Sequence, residues 1–237
     1  IWSTNDSPFS GSTPDDSGNL AYDYKQYSID YGITPAGSGN GLLYSYAPTI
    51  TVGLQNVSKT YDGFLAASVS NANFTLDGVV DSDVLKLNYS SANYSDAHVA
   101  TANKTVLVDG LTLDSVTSNT GKSVYGYKLT NDSVTGLGEI TQKSLITSGR
   151  IANGNPKEYD GTTDATGFNV AFTISGLLHG DNFAKDTSQI VFKFDSADAG
   201  VSKKVSAYGQ VKIGSNSSTA SGDGTGNNPV KGDASDY

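Results

Sequence analysis

Apolar and polar residues alternate along much of this chain with a period of two. Leu85, Leu87 and Tyr89 alternate with polar neighbours, as do Val106 and Val108, then Tyr125, Tyr127 and Leu129. The period returns in Val170, Phe172 and Ile174, and again in Ile190, Phe192 and Phe194. Successive side chains of a strand point to opposite faces, so these runs predict half-buried strands. Asp62-Gly63, Asp77-Gly78, Asp109-Gly110 and Asp160-Gly161 separate the runs and predict tight turns. Helical periodicity is nearly absent; only Phe183 to Ile190 suggests a short helix. The pattern predicts an all-β chain.

The runs belong to an internal repeat. Lys59-Thr60-Tyr61-Asp62-Gly63 recurs as Lys157-Glu158-Tyr159-Asp160-Gly161. Asp83 and Asp181 follow the two tyrosines at the same distance. Ser95-Asp96-Ala97-His98-Val99 resembles Ala197-Asp198-Ala199-Gly200-Val201, and Lys104 and Gly110 pair with Lys203 and Gly209 after small gaps. The expected organisation is two tandem β-sandwich (Ig-like) modules, residues 50–147 and 148–213. Before them lies an N-terminal extension, 1–49, and after them a flexible Gly/Ser/Asn-rich tail, 214–237.

The copies end differently. The first closes with Ser123-Val124-Tyr125-Gly126-Tyr127-Lys128, then Gly138-Glu139-Ile140-Thr141, and the second shows no such ending. A similar ending stands near the start of the chain, in Leu20-Ala21-Tyr22-Asp23-Tyr24-Lys25. Tyr27, Ile29, Tyr31 and Ile33 then alternate as a strand. Residues 20–35, with Tyr22, Tyr24, Tyr27, Ile29, Tyr31 and Ile33 as the candidate donor strand, are expected to complete the open module of another copy. An edge left unpaired invites such β-augmentation, and head-to-tail repetition of the contact builds a filament.

Composition narrows the function classes. The chain has 237 residues, 27 of them Gly and 14 Tyr, with 16% charged residues and a net charge of -9. It carries no basic stripe, which argues against a nucleic-acid partner. No apolar run is long enough to span a membrane as a helix. The absence of cysteine excludes disulfides and zinc-thiolate sites. The chain begins at Ile1 and contains no Met, which reads as a processed chain or an excised piece.

The Tyr-Asp-Gly boxes, the downstream Asp and the Tyr-x-Tyr closing strand resemble the YDG repeat. That family occurs in large secreted bacterial adhesins of the filamentous-haemagglutinin and high-molecular-weight adhesin type. The resemblance implies an extracellular stalk or spacer module and brings no catalytic residues with it. Some adhesins of this kind are glycosylated at Asn-x-Ser/Thr sites. Here Asn5, Asn56, Asn73, Asn88, Asn93, Asn103, Asn131 and Asn216 begin such motifs, as expected also from a chain rich in these residue types.

Independently of the family, each box has a structural role. Tyr61 and Tyr159 can bury a ring while the hydroxyl stays bonded, and Asp62-Gly63 and Asp160-Gly161 supply turns. The chemistry of catalysis is sparse. His98 and His179 do not align between copies and lie in no motif, so no catalytic residue and no enzyme activity is expected. Asp81-Ser82-Asp83 is a weak candidate for structural calcium, lacking the spacing of a full calcium loop; no other cofactor is expected. An autocatalytic Lys–Asn cross-link would need a buried Lys, Asn and acid brought together, which sequence does not reveal. The function expected is an extracellular structural subunit of a bacterial fibre or adhesin stalk, partnered by copies of itself or neighbouring repeats. The alternative is a carbohydrate-binding module in which tyrosines such as Tyr44 and Tyr46 stack on surface glycans.

Overall fold

The computed structural model describes residues 1–219 and 221–237, and the side chains of residues 101 and 102 are left aside. Ala220, in the expected tail, lies outside the described residues. Among the described residues the chain is nearly all β, with one short 3-10 turn at Asn71–Asn73. It divides into two compact units. One comprises Ile1–Lys59, Ala66–Ser95 and Thr101–Glu139; the other comprises Thr60–Leu65, Asp96–Ala100 and Ile140–Tyr237.

In the first unit the strands run β1 (Trp2–Ser3), β2 (Tyr24–Gln26), β3 (Gly41–Tyr44), β4 (Thr49–Leu54), β5 (Val57–Thr60), β6 (Phe74–Asp77) and β7 (Val84–Asn88). There follow β8 (Ser91–Tyr94), β9 (Ala100–Asp109), β10 (Thr112–Thr117), β11 (Ser123–Tyr125), β12 (Lys128–Leu129) and β13 (Ser133–Thr141). They form sheets in the orders β1-β3-β2-β11-β10-β7, β12-β4-β6 and β5-β13-β9-β8. Two of the period-two runs bury one face as expected: Leu85, Leu87, Val106 and Val108 are all buried. The run Tyr125, Tyr127 and Leu129 is instead broken between β11 and β12, where Gly126 takes a φ of +92°, leaving Tyr125 exposed and Tyr127 buried.

Residues 1–49 are not an extension but part of this unit. β2 lies between β3 and β11, parallel to both, with Lys25 opposite Val124 and Leu42. The candidate donor strand is therefore spent on its own first unit rather than on another copy. The segment and the closing strand it resembles lie side by side, Tyr24–Gln26 against Ser123–Tyr125. Tyr24, Tyr27 and Ile29 are buried, Tyr22 is half-buried, and Tyr31 and Ile33 are exposed, so the alternation stops being a strand after Gln26.

The second unit has β14 (Ile146–Ala152), β15 (Asn169–Ser175), β16 (Phe183–Asp186), β17 (Val191–Phe194), β18 (Val205–Tyr208) and β19 (Lys212–Asn216). They pair antiparallel as β14 with β15, β16 with β19 and β17 with β18. These pairs repeat β4 with β6, β7 with β10 and β8 with β9, and both the β7–β10 and β16–β19 ladders carry a register shift. Phe183 to Ile190 is not a helix: it is β16 followed by a turn closed by Ile190 N–H to Thr187 O.

The expected tail is also anchored. β19 runs to Asn216, Gly224 O accepts from Leu65 N–H, Val230 N–H donates to Gly63 O, and Asp236 is fully buried. Its many glycines and turns hide a short docking segment that spacing alone does not reveal.

Candidate functional site

The two boxes fold alike locally. In the first, Asp62 Oδ1 accepts from Phe64 N–H at 2.9 Å; in the second, Asp160 Oδ1 accepts from Thr162 N–H at 2.8 Å. Gly63 and Gly161 take φ of +81° and +74°, the left-handed region that a tight turn demands and that glycine enters without a Cβ clash. Lys59 and Lys157 reach the carbonyls of Ala66 and Asp164 at 3.0 and 2.8 Å. Hydrogen bonds from Lys157 and from the Thr162 N–H pull the exposed Asp160 carboxyl down to about 2.

Their surroundings differ. Tyr61 is 1% exposed, stacked on His98 and edge-on to Tyr237; Tyr159 is 73% exposed. Burial, then the carboxylate of Asp236, holds the Tyr61 phenol above its ordinary range. Its hydroxyl makes no hydrogen bond among the described residues, so the ring is held by packing.

The second box borders a groove of about 470 Å³, walled by Asn155–Thr162 on one side and Phe194–Lys203 on the other. In the first repeat β13 occupies the corresponding place between β5 and β9. There Gly138 is required: a Cβ would stand 2.7 Å from Val106 and 2.9 Å from Tyr94. The second repeat has no counterpart of β12 or β13 among the described residues, and its β17–β18 ladder remains two-stranded. Such a ladder leaves a row of backbone donors and acceptors without strand partners.

The paired downstream aspartates are the second site. In the first unit Tyr27 and Tyr127 donate their hydroxyls to Asp83 Oδ2 at 2.7 and 3.0 Å, and Val80 N–H donates to the Tyr127 hydroxyl. In the second, Tyr237 donates to Asp181 Oδ2 at 2.7 Å while Leu178 N–H donates to the Tyr237 hydroxyl. Tyr237 thus does for Asp181 what Tyr127 does for Asp83. The second copy keeps its closing tyrosine, which the Gly-rich insertion carried out of register. Burial first, and the aspartates with it, pushes the phenols of Tyr27, Tyr127 and Tyr237 well above the usual range.

Asp81 and Asp83, the calcium candidates, both face a cation of the chain itself. The position between them is taken by the Lys25 ammonium, which hydrogen-bonds Asp81 at 2.7 Å and also Asp83. Another group, His98, Asp233 and Asp236, brings its ligand atoms within 4.8 Å of one another, with His98 Nδ1 already 2.7 Å from Asp236. His179 Nε2 meets the Asp62 carbonyl at 2.6 Å, so neither histidine stands beside a serine or threonine nucleophile in these bonds.

The remaining candidates separate by exposure. Asn56, Asn88, Asn93, Asn103 and Asn131 are exposed. The Asn216 amide is committed to Asp181 and Gly232 O, that of Asn73 to Gln55 O and Asn56 O, and that of Asn5 to Thr13 O and Asp15. The amides of these three hold the local fold, and that of the exposed Asn131 also donates, to Ser133 O. Tyr44 is buried against Phe9 and Tyr27, which closes its face to a sugar, and Tyr46 is half-buried. Burial lifts the Tyr44 phenol to about 12.

Comparison with curated proteins and with solved structures finds no match. The family model described as the YDG domain matches twice, at residues 46–135 and 141–227, one match to each repeat. With both repeats matched over most of its length, the chain belongs to the YDG domain family.

Proposed function

We propose that this chain is a non-enzymatic, extracellular structural subunit of a bacterial surface fibre or adhesin stalk, in which each repeat receives a strand at its Tyr-Asp-Gly box. The observation that carries this reading is the difference between two copies of one box. The first is covered by the Gly224–Tyr237 segment, and the groove beside the second is open. A repeat built this way offers an unfilled place at one end, and a neighbouring repeat that fills it extends the array without closing it. The donor differs from the one the sequence suggested. It is a strand of the β13 kind, with glycine where the groove walls come closest, and not residues 20–35, whose strand Tyr24–Gln26 is already paired within the first unit.

The test is binding of a synthetic peptide with the sequence of residues 133–141 to the intact chain, followed by chemical-shift mapping. Saturable binding that shifts residues 155–162 and 194–208, and that is lost in the peptide carrying Gly138→Val, supports the reading. Binding elsewhere, or binding indifferent to Gly138→Val, refutes it.

A further inference from the structure

Lys25 is a charged residue with no exposed surface, in the middle of the six-stranded sheet of a chain that has no cysteine to cross-link it. Its side chain is 1% exposed and that of Asp83, which it touches, 0%. Burying an ion pair this completely costs more desolvation than attraction alone returns. The surroundings supply what a condensation needs. Two phenol hydroxyls, from Tyr27 and Tyr127, converge on Asp83 Oδ2, while Lys25 Nζ lies against Oδ1 of the same carboxyl. A second acid, Asp81, holds Nζ at 2.7 Å and is 43% exposed, open to solvent on its far side. Asp81 and Ser82 both take positive φ, +50° and +55°, a conformation that L residues adopt at a cost. That strained turn aims both carboxylates at one nitrogen.

We propose that Lys25 and Asp83 are joined by an intramolecular isopeptide bond that forms autocatalytically, with Asp81 as the catalytic acid–base. Proton transfer within the dry pair gives a neutral amine and a neutral carboxylic acid. The Nζ lone pair attacks Asp83 Cγ, and the electron pair of the carbonyl moves to Oδ2, where the two tyrosine hydroxyls donate to it. Asp81 takes a proton from the attacking nitrogen and returns it to the Oδ1 hydroxyl. The Cγ–Oδ1 bond breaks, water leaves toward the exposed side of Asp81, and Oδ2 becomes the amide oxygen. Ammonium plus carboxylate become amide plus water, with no oxidant and no cofactor. Holding the two groups in contact replaces a bimolecular encounter by an intramolecular one.

The second repeat is a built-in contrast. Asp181 receives Tyr237 as Asp83 receives Tyr127, but its other partners are the Asn216 amide and Gly232 N–H. With no amine among these partners, Asp181 forms no such bond. The bond pins the N-terminal segment to the first unit across a sequence separation of 58 residues.

Intact-mass measurement on the denatured full chain tests this. The expected mass is lower than the sequence mass by one water, and peptide mapping finds one branched peptide joining Lys25 to Asp83. Lys25→Arg and Asp81→Asn, each checked for native circular dichroism, are expected at full mass. Folded wild-type protein at full sequence mass overturns the proposal. So does a missing water located elsewhere, as in a succinimide at an Asp-Gly turn. A cross-link that still forms in folded Asp81→Asn removes the role given to Asp81.

Discussion

The two repeats carry the same alternation and bury it to different depths. In the first, Leu85, Leu87, Tyr94, Val106 and Val108 are all buried. In the second, Val170, Phe172, Ile174, Phe192 and Phe194 alternate as well but are only half-buried, and Val201 and Tyr159 are largely exposed. The pattern of a strand is a property of its own sequence; the depth of burial is set by how many neighbours are present. What separates the copies is the presence of β12 and β13, each in its own sheet of the first repeat, together with the segment that covers the box. Burial contributes roughly 25 cal/mol per Å² of apolar surface removed from water, so a half-covered face holds stabilisation that an arriving strand can release.

The contrast can be broken by matched substitutions. The largest effect is expected at the aspartates. Asp83→Ala leaves the buried Lys25 without its partner and should destabilise the first unit by about 3–5 kcal/mol. Asp181→Ala orphans only neutral donors and should cost the second about 1–3 kcal/mol. Equal losses in denaturant unfolding would mean that Lys25 does not distinguish the sites.

Next come the box tyrosines. Tyr61→Ala removes a buried ring and should cost roughly 3 kcal/mol. Tyr159→Ala, at an exposed position, should stay within about 0.5 kcal/mol. Tyr61→Phe should be nearly neutral, because its hydroxyl is unbonded among the described residues. A large loss in Tyr159→Ala would show that the second box is already covered.

The turn glycines should separate less. A Cβ at Gly63 would meet His179 at 2.9 Å and Pro229 at 3.2 Å, whereas Gly161 has nothing within 4 Å. Both pay for a positive φ, so Gly63→Val is expected to cost about 2 kcal/mol and Gly161→Val about 1 kcal/mol. Similar melting shifts for both would show the crowding at Gly63 to be relieved without cost.

Much of this was legible in the chain itself, and the failures share one cause. The alternation of Leu85 with Leu87 and of Val106 with Val108, the repeat register of Asp83 and Asp181, and the Asp-Gly turns depend on neighbours close in sequence. Lys25 between two aspartates, Tyr237 on Asp181, and β2 lying parallel to β11 are pairings at long range, where sequence spacing carries no signal. Tyr31 and Ile33 alternate like strand residues, yet neither lies in a strand, and Tyr31 only rests its ring edge-on to Trp2. Tyr237 could have been found by one clue: a Tyr beyond a Gly-rich insertion in a repeat that shows no closing Tyr in register.

The effect of pH is gradual and falls on both units. Tyr27, Tyr44 and Tyr127 in the first unit, and Tyr61 and Tyr237 in the second, have folded-state pKa values raised by burial. A raised value contributes stability that is fully present below the unfolded phenol value, about 10, and is lost as pH rises toward the folded one. Unfolding free energy should therefore be flat approaching pH 10 and then fall, by at most about 1.4 kcal/mol per phenol per pH unit. A decline that begins well below that point would assign the sensitivity to other groups.

The central claim is that one box is covered and its copy stands open until a strand arrives. Tyrosine footprinting, by brief chemical modification of the native chain and quantitation of each residue by mass spectrometry, tests it directly. The account predicts fast modification of Tyr159 and protection of Tyr61, with Tyr159 becoming protected when the peptide of residues 133–141 is bound. Comparable rates at the two residues in the free chain, or a Tyr159 that stays equally reactive with the peptide bound, would contradict it.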